Sequence, residues 1–224
     1  WTIHTHQIRD RGAAGRQTTL AEAERFGART LGAGRNIAEA TSPLILNEAG
    51  GIGLIGVGYQ RACRKAGDET PGCFSWSDMD RIREAIGAVK KRCRWCVVVA
   101  HGGEEFTTLP SPYTRDRYLA YLEMGADIVV SHHPHVPMNY ETVGDKAIFY
   151  SLGNFIFDTD YQRAQFNTEL GLFVKLNFTK ERWSFEPFGI RIDRTAVRKD
   201  ELWLDRVQIV EQDQVRAVAG RDCT

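Results

Sequence analysis

The sequence has no excess of charge of either sign, since its 224 residues include 29 Lys and Arg against 29 Asp and Glu. A chain without net charge gives no electrostatic reason to bind nucleic acid or an anionic membrane. It also has no uninterrupted run of roughly 18 apolar residues, the length needed to span a bilayer. We therefore predict no nucleic-acid partner, no transmembrane segment, and a chain that is soluble as given and folds as one domain over residues 1–224.

Cysteine is too scarce for a disulfide framework, because the chain has only five cysteines, an odd number. Cys93 and Cys96 have the spacing of a redox or zinc-binding pair, and Cys63 and Cys73 offer a second pair only at an irregular spacing. We interpret the cysteines as ordinary thiols, with a disulfide and a metal site as the alternatives. Cysteine use does not settle the cellular compartment.

Several sequence motifs of common enzymes are missing as well. The chain has no Gly-x-Ser-x-Gly elbow of the kind that carries a serine nucleophile. The segment Gly32-Ala33-Gly34 lacks the third glycine of a dinucleotide fingerprint, and no phosphate-binding Gly-x-x-x-x-Gly-Lys-Ser/Thr occurs. There is also no signal-peptide pattern and no initiator methionine, so we expect the natural start of the chain, with any leader or anchor, to lie before Trp1.

The apolar residues that are present alternate between helical and strand patterns, which predicts an α/β fold. A helix is predicted over residues 78–91, capped by Ser77, and a strand–helix–strand unit over residues 96–100, 114–124 and 127–130. Other predicted segments are a helix beginning at Thr18 or Thr19 and ending at Phe26, a strand at 28–31, a turn at 32–34, strand pairs at 44–46 with 52–57 and 139–143 with 147–150, a surface loop at 60–76, strands at 170–178 and 183–192, and a C-terminal extension at 196–224.

Three of the six histidines lie in the segment Ser131-His132-His133-Pro134-His135-Val136, directly after an apolar strand pattern. Side chains two residues apart on an extended chain share a face, so His133 and His135 can bind one metal ion. His101 follows the neighbouring predicted strand, and the carboxyl ends of parallel strands meet at one edge of the sheet. We therefore predict metal binding by His101, His133 and His135, with His132 pointing away and only supporting a ligand.

Polar residues near these histidines are candidates for proton transfer. Glu104 and Glu105 follow His101, and each can orient an imidazole, bind metal or exchange protons, the alternative being a solvated loop charge. Asn154 lies in the turn-forming segment 151–155 and can present its amide at the same edge of the sheet, the alternative being an ordinary turn residue. Asp158 is interpreted as structural.

Three segments together resemble successive blocks of the capsule-synthesis CapA/PgsA family: AHGGEEF (100–106), GADIVVSHHPHV (125–136) and IFYSLGNFIFD (148–158). The segment LGAGRNIAEATSPLIL (31–46) also resembles that family, and the likeness covers roughly residues 4–195, most strongly 28–195. The family is associated with poly-γ-glutamate synthesis and belongs to the calcineurin-like metallophosphoesterase superfamily. The resemblance implies a four-layer α/β/β/α sandwich with a dinuclear metal centre and a bacterial cell-envelope location.

The resemblance also implies roles for particular residues. His101, His133 and His135 stand at positions that bind metal in the superfamily, and His6 stands where a histidine stabilises charge or protonates the leaving group. The family pattern Asn-Asn-His reads His4-Thr5-His6 here, with one extra residue before Gly12, and the early Gly-Asp and Asn-Leu-Glu blocks are absent. We therefore expect the first strands and an acidic ligand to be missing, and one divalent metal ion (Mn, Fe or Zn) rather than two.

Three functions follow from these observations. The first is a metal-dependent phosphoester hydrolase of capsule or poly-γ-glutamate synthesis, with Glu105, Asn154 and His6 as catalytic residues and a phosphoester or anionic polymer as substrate. The second is a non-catalytic component that binds the polymer or a membrane synthase complex through a degenerate metal site. The third is a mononuclear structural-zinc domain. It ranks last because it needs cysteine ligands near the histidines, whereas Cys93 and Cys96 lie at the opposite end of the predicted strand that leads to His101.

Overall fold

The computed structural model describes residues 12–59, 64–157, 159–192 and 197–199, which fall into two compact units. The first unit holds the described residues up to Gly102 together with Tyr121–Ile128, and the second holds Gly103–Ala120 and the described residues from Val129 onward. The fold is mixed α/β, with a six-stranded sheet that contains parallel and antiparallel strand pairs and helices beside it, which confirms the predicted class. The single domain over residues 1–224 stays a prediction.

The first unit contains three helices, a short 3-10 helix (Glu48–Gly50) and five strands. They are α1 (Gly12–Arg25), β1 (Ala33–Gly34), α2 (Ile37–Thr41), β2 (Leu44–Leu46), β3 (Ile52–Gly58), β4 (Gly72–Cys73), α3 (Met79–Lys90) and β5 (Trp95–His101). Strands β2 and β3 form the predicted antiparallel pair, and β3 runs parallel to β5. Strands β1 and β4 form a separate antiparallel pair.

Helix α3 packs on β3 through one apolar face. Ile82, Ile86 and Val89 lie on that face and are almost completely buried. A Cβ on Gly53 of β3 would lie 2.3 Å from a methyl carbon of Val89, so only glycine allows the helix to approach this closely. Gly53 therefore serves the close packing of α3 on β3.

The structure corrects the predicted start of the first helix, because α1 begins at Gly12 rather than at Thr18 or Thr19. The hydroxyls of Thr18 and Thr19 donate to the carbonyls of Ala14 and Gly15, four residues earlier in the same helix. A threonine inside a helix can satisfy its hydroxyl in this way, so the residue type favours a cap without requiring one.

Two further segments differ from their predicted structure. Residues 28–31 form no extended strand, and the predicted turn at 32–34 contains β1 instead. In the predicted surface loop 60–76, Cys73, Phe74 and Trp76 are buried, since β4 pairs with β1 and Phe74 donates its N–H to the carbonyl of Gly32. Polar residues and Gly72 suggested a loop, but pairing with a distant segment places the end of it in the core.

The second unit contains two helices and six strands. They are α4 (Pro112–Glu123, in this unit up to Ala120), β6 (Ile128–His132, in this unit from Val129 on), β7 (Tyr140–Val143), β8 (Lys146–Phe149), α5 (Asp160–Arg163), β9 (Leu170–Phe178), β10 (Trp183–Ile192) and β11 (Val197–Lys199). The hydrogen-bonded order is β6-β8-β7 in one part of the unit and β11-β10-β9 in the other. The predicted pair of β7 with β8 is confirmed, with Gly144 at a φ of 62° in the turn.

A buried polar network lies beneath the start of the histidine segment. The guanidinium of Arg115 on α4 makes two hydrogen bonds to the carboxylate of Glu141 on β7, and the hydroxyl of Tyr150 donates to the same carboxylate. Burial and the neighbouring carboxylate raise the pKa of Tyr150, so its hydroxyl remains a donor at neutral pH. Tyr118 bonds to the hydroxyl of Ser131, with 2.7 Å between the oxygens, which ties α4 to β6 directly before the histidines.

Strands β9 and β10 form a regular antiparallel hairpin. Their register runs without interruption from Trp183 opposite Phe178 to Arg191 opposite Leu170. Pro187 of β10 lies opposite Val174 of β9, and the described residues of β11 pair with Ile190–Ile192. The register of β10 with β9 contains no bulge at Pro187.

None of the helices in the described part of the chain has the length and apolar character required to cross a membrane.

Candidate functional site

The segment from His133 to His135 leaves the sheet at the end of β6 and is held by its neighbours. Ser131, at the start of this exit, is completely buried, and its carbonyl accepts the N–H of Leu152 at 3.0 Å. The carbonyl of Pro134 accepts the N–H of Phe106 at 2.9 Å, so the loop that carries Glu105 runs beside the histidines. The second unit therefore assembles the parts of a site from two loops that are distant in sequence.

The backbone of both histidines lies in the left-handed region, with φ of 120° at His133 and 63° at His135. Such values cost a residue with a Cβ roughly 1–3 kcal/mol. His133 is restricted further because it precedes Pro134, which disfavours compact backbone conformations of the residue before it. Strain of this kind persists where the surrounding structure imposes it, and it concentrates at functional sites. The observation favours a functional role for these two imidazoles.

Glu105 lies next to His133, as the sequence suggested for a carboxylate in this loop. Its Oε1 is 3.7 Å from Nε2 of His133, within ion-pair distance whenever the imidazole is protonated. The His133 side chain is 9% exposed while that of Glu105 is 43% exposed, so the carboxylate faces solvent over a buried imidazole. Glu105 is thus placed to orient His133 or to exchange protons with a bound molecule.

The imidazole of His135 is packed among aromatic rings. Phe106 and Phe157 each lie nearly parallel to it, with ring centroids at 5.9 and 5.3 Å. Tyr161 contacts Phe106 edge-on at 6.2 Å. These contacts limit the rotation of the His135 ring, which is the arrangement expected of a side chain that must hold one orientation.

Asn154 is buried and bonds directly to His135, with 2.9 Å between its Oδ1 and Nδ1 of the imidazole. Its backbone passes so close to β9 that a Cβ on Gly171 would lie 2.1 Å from the Asn154 carbonyl oxygen. Gly153 precedes it at a φ of 66°, a conformation that suits glycine. The two glycines therefore let the chain bring the Asn154 amide to His135.

Glu104, the neighbour of Glu105, has a different role. Its carboxylate accepts hydrogen bonds from the N–H and hydroxyl of Ser111 and from the hydroxyl of Thr114. Ser111 in turn caps the N–H of Thr114 in the first turn of α4. This cap and the proline at the first helical position begin α4 at Pro112, two residues before the predicted start. Glu104 is a helix-capping residue.

His101 belongs to the first unit, where it ends β5 and is 5% exposed. Its carbonyl accepts the N–H of Tyr59 at 2.8 Å, and the following Gly102 packs on Trp76, where a Cβ would lie 2.3 Å from the ring. That His101 shares one sheet edge with His133 and His135 stays a prediction. The predicted residues His4, His6 and Asp158 lie outside the described residues, and His132 lies half-buried in β6.

The donor chemistry of the second unit suits a divalent transition metal, since imidazole nitrogens and a carboxylate are its usual ligands. The ring centroids of His133 and His135 are 6.2 Å apart. Within residues 12–59, 64–157, 159–192 and 197–199, no group of three or more His, Cys, Asp or Glu side chains is arranged to hold a metal ion. Metal binding by His101, His133 and His135 therefore remains a prediction.

The cysteines that the structure describes carry no such site. Cys73, Cys93 and Cys96 are buried free thiols. Burial, with a smaller contribution from Asp127, raises the pKa of Cys96 to about 12. A thiol with so high a pKa is neither a good nucleophile nor a ready metal ligand at neutral pH, which agrees with the interpretation of ordinary thiols.

Several residues of the site carried no signal in the sequence. Phe106 and Phe157 appeared as ordinary apolar residues, and Gln162 and Thr168, which contact Asn154, lie 8 and 14 residues beyond it. The positive φ of His133 also carried no signal, because a residue before proline ordinarily favours an extended conformation with negative φ. Contacts between segments far apart in sequence bring these residues together.

Comparison with known proteins adds a family to this geometry. The chain matches the family described as "Bacterial capsule synthesis protein PGA_cap" over residues 5–159. It is 32% identical over 197 residues to "PGA biosynthesis protein CapA" of Bacillus subtilis (strain 168), which covers 86% of this chain and 51% of that protein. It is 31% identical over 169 residues to "Capsule biosynthesis protein CapA" of Bacillus anthracis, covering 73% and 41%. The chain spans about half the length of these curated relatives.

Proposed function

Since the chain belongs to the PGA_cap family of bacterial capsule synthesis proteins, we propose that it is a metal-dependent phosphoester hydrolase acting in capsule or poly-γ-glutamate synthesis. The substrate class is a phosphoester or a phosphorylated form of an anionic polymer. The proposal includes the four-layer α/β/β/α sandwich of the metallophosphoesterase superfamily. One observation carries it: two histidines with strained backbones, His133 and His135, lie close together, and the carboxylate of Glu105 lies beside His133.

The residues have separate roles in this proposal. His101, His133 and His135 would hold a divalent ion (Mn, Fe or Zn), which when bound polarises a phosphoryl oxygen and lowers the pKa of a bound water. Glu105, half-exposed beside His133, would accept or return a proton at the open side of the site. The resemblance assigns leaving-group protonation to His6. Asn154 contacts His135 rather than open solvent, so its contribution passes through that imidazole.

A phosphodiester assay tests the hydrolase. The chain would be stripped of metal, reloaded separately with Mn²⁺, Fe²⁺ or Zn²⁺, and assayed with bis-(p-nitrophenyl) phosphate. We expect metal-dependent hydrolysis that falls at least about a hundredfold in His133→Ala, the range typical for loss of a catalytic group. His132→Ala is the matched control, one residue away and expected to retain activity. Absence of both bound metal and hydrolysis, with His133→Ala changing nothing, would reject the proposal.

A second candidate is a non-catalytic component that binds the polymer or a membrane synthase complex. It is favoured by five exposed large apolar side chains within a dozen residues of the second unit: Phe155, Ile156, Phe157, Tyr161 and Phe166. Clustered exposed apolar residues often mark protein interaction sites. Replacing Ile156 and Phe166, each more than 70% exposed, with serine separates the candidates. The hydrolase keeps its turnover of the small substrate in this variant, whereas a binding component loses retention on immobilised poly-γ-glutamate or on the synthase complex.

A further inference from the structure

The side chain of Asn154 lies between the His135 imidazole and the backbone of Thr168. Its Oδ1 is 2.9 Å from Nδ1 of His135, and its Nδ2 is 3.0 Å from the carbonyl oxygen of Thr168. The Nδ2 also lies 3.3 Å from Oε1 of Gln162. Asn154, Gln162 and Thr168 are 6%, 4% and 3% exposed, so water does not replace these bonds.

The chemistry of the atoms fixes the direction of each hydrogen bond. A backbone carbonyl only accepts, so the edge of the Asn154 amide that faces Thr168 must be its NH₂ group. The opposite edge, which faces His135, is then the amide oxygen, and this oxygen also only accepts. Nδ1 of His135 must therefore carry the proton in this bond. Because the backbone carbonyl of Thr168 cannot be turned around, it fixes the orientation of the Asn154 amide and with it the proton on Nδ1 of His135.

The contacts around Asn154 disfavour an amide in which the oxygen and the NH₂ group have exchanged places. Turning it would bring the side-chain oxygen of Asn154 against the carbonyl oxygen of Thr168, two acceptors with no proton between them in a buried place. The backbone of Asn154 is also held against β9 by the bridge between Gly153 and Gly171. The hydroxyl of Thr168 donates to the carbonyl of Gln162, which closes the network on its far side.

We propose that Asn154 is a positioning residue that holds neutral His135 with its proton on Nδ1 and its lone pair on Nε2. Which ring nitrogen of a histidine is protonated is set by the hydrogen bond that the other makes, and free imidazole in water prefers the opposite form. The network thus makes Nε2 the nitrogen that can accept a proton or bind a metal ion. That Nε2 binds a metal ion rests on the proposed function, whereas the position of the proton on Nδ1 does not.

Nitrogen NMR of the metal-free chain measures the proton position directly. The chain labelled with ¹⁵N-histidine would be examined at about pH 8.5, roughly two units above the ordinary histidine pKa of ~6.5, so that imidazoles are neutral. His135→Gln assigns the His135 signals by their loss. We expect the Nδ1-protonated pattern in the wild type and a shift toward the Nε2-protonated pattern in Asn154→Ala. Asn177→Ala, at a half-buried asparagine of β9 whose amide bonds to Glu186, and Gln162→Leu, which keeps the Thr168 carbonyl, should retain the wild-type pattern.

Zinc affinity supplies a second readout. Loss of the partner that orients a ligand histidine typically weakens metal binding by about 10–100-fold, and we expect this for Asn154→Ala relative to Asn177→Ala in equilibrium dialysis. An Nε2-protonated His135 in the wild type overturns the proposal, as does an Nδ1-protonated pattern that survives Asn154→Ala. The wild-type spectrum decides the first point even if the variant does not fold. A chain with the expected tautomer that binds no zinc supports the positioning role and contradicts the proposed function instead.

Discussion

At the scale of a single residue, the φ of 120° at His133 allows us to predict the relative stability of two variants. His133→Gly and His133→Ala remove the same imidazole, but only glycine adopts this conformation without strain. At an ordinary position a glycine variant is less stable than an alanine variant by roughly 0.5–1 kcal/mol. At His133 the release of roughly 1–3 kcal/mol of backbone strain should make the glycine variant the more stable of the two. We expect the glycine variant to have a free energy of unfolding about 1 kcal/mol above that of the alanine variant, measured by urea denaturation.

His132 provides the control for this comparison. It lies next to His133 within β6, and its φ is not positive. Here alanine should be more stable than glycine, the opposite order, because glycine weakens a strand. If alanine is the better residue at both positions, the backbone of His133 is not strained and the observation that carries the proposed function is lost.

The thiol of Cys96 gives a second residue-scale prediction. Its pKa of about 12, raised mainly by burial, leaves almost no thiolate at pH 8, and thiolate fraction grows only as the pH rises toward that value. In a Cys63→Ser, Cys223→Ser background, the native chain should react negligibly with a disulfide reagent, while three thiols react in denaturant. Rapid reaction of one thiol in the native chain would restore the redox-pair interpretation of Cys93 and Cys96.

At the scale of elements, two adjacent glutamates before α4 have different roles. Glu104 accepts three hydrogen bonds from Ser111 and Thr114, whereas Glu105 faces solvent beside His133. Glu104→Ala should lower the free energy of unfolding by about 1–2 kcal/mol, as loss of a helix cap does. Glu105→Ala should change it by less than about 1 kcal/mol, as expected for a carboxylate that faces solvent, yet reduce phosphodiester hydrolysis.

Each variant of this pair is the control for the other. Both remove one carboxylate from the same loop, so a general effect of charge on the chain would appear equally in the two. Thermal denaturation and the phosphodiester assay should give opposite rankings of the two variants. A loss of hydrolysis in folded Glu104→Ala that matches the loss in Glu105→Ala would contradict the division of roles.

The sequence predicted elements well wherever the local pattern was sufficient. Helix α3 and the pair of β7 with β8 depend on local patterns, and both were predicted, although the N-cap of α3 is Asp78 rather than Ser77. The burial of Phe74 and Trp76 was missed because it depends on the pairing of β4 with β1, nearly 40 residues apart. A polar stretch with Gly72 indicates a loop until its distant partner is known.

The candidate site shows the same division between local and distant information. The clustered histidines and Glu105 were found from residue type and spacing, and Asn154 from its turn. Gln162 and Thr168, which bond to Asn154, belong to a later segment of the chain. That segment approaches Asn154 closely because Gly171 has no side chain. The candidate site residues could therefore be identified from the sequence, whereas the hydrogen-bond network that orients His135 could be identified only from the three-dimensional structure.

At the scale of the whole molecule, a metal ion that binds only the folded chain must raise the stability of the fold. At a free concentration of 100 times the dissociation constant, the gain is about 2.7 kcal/mol. Mn²⁺ is the better probe for this measurement, since Zn²⁺ also binds the cysteines of the unfolded chain. We expect Mn²⁺ to raise the thermal midpoint of the wild type and of His132→Ala, and not of His133→Ala or His135→Ala.

His101→Ala decides whether the first unit contributes a ligand to the same ion. If His101 binds the metal with His133 and His135, its alanine variant should lose the Mn²⁺ shift as the other two do. A variant that retains the full shift would confine the ligands to the second unit, where the carboxylate of Glu105 lies 3.7 Å from His133. An equal shift in all four histidine variants would place the ion elsewhere on the chain. Because each variant is compared with its own metal-free form, differences in intrinsic stability cancel, and the loss of the shift reports ligand removal alone.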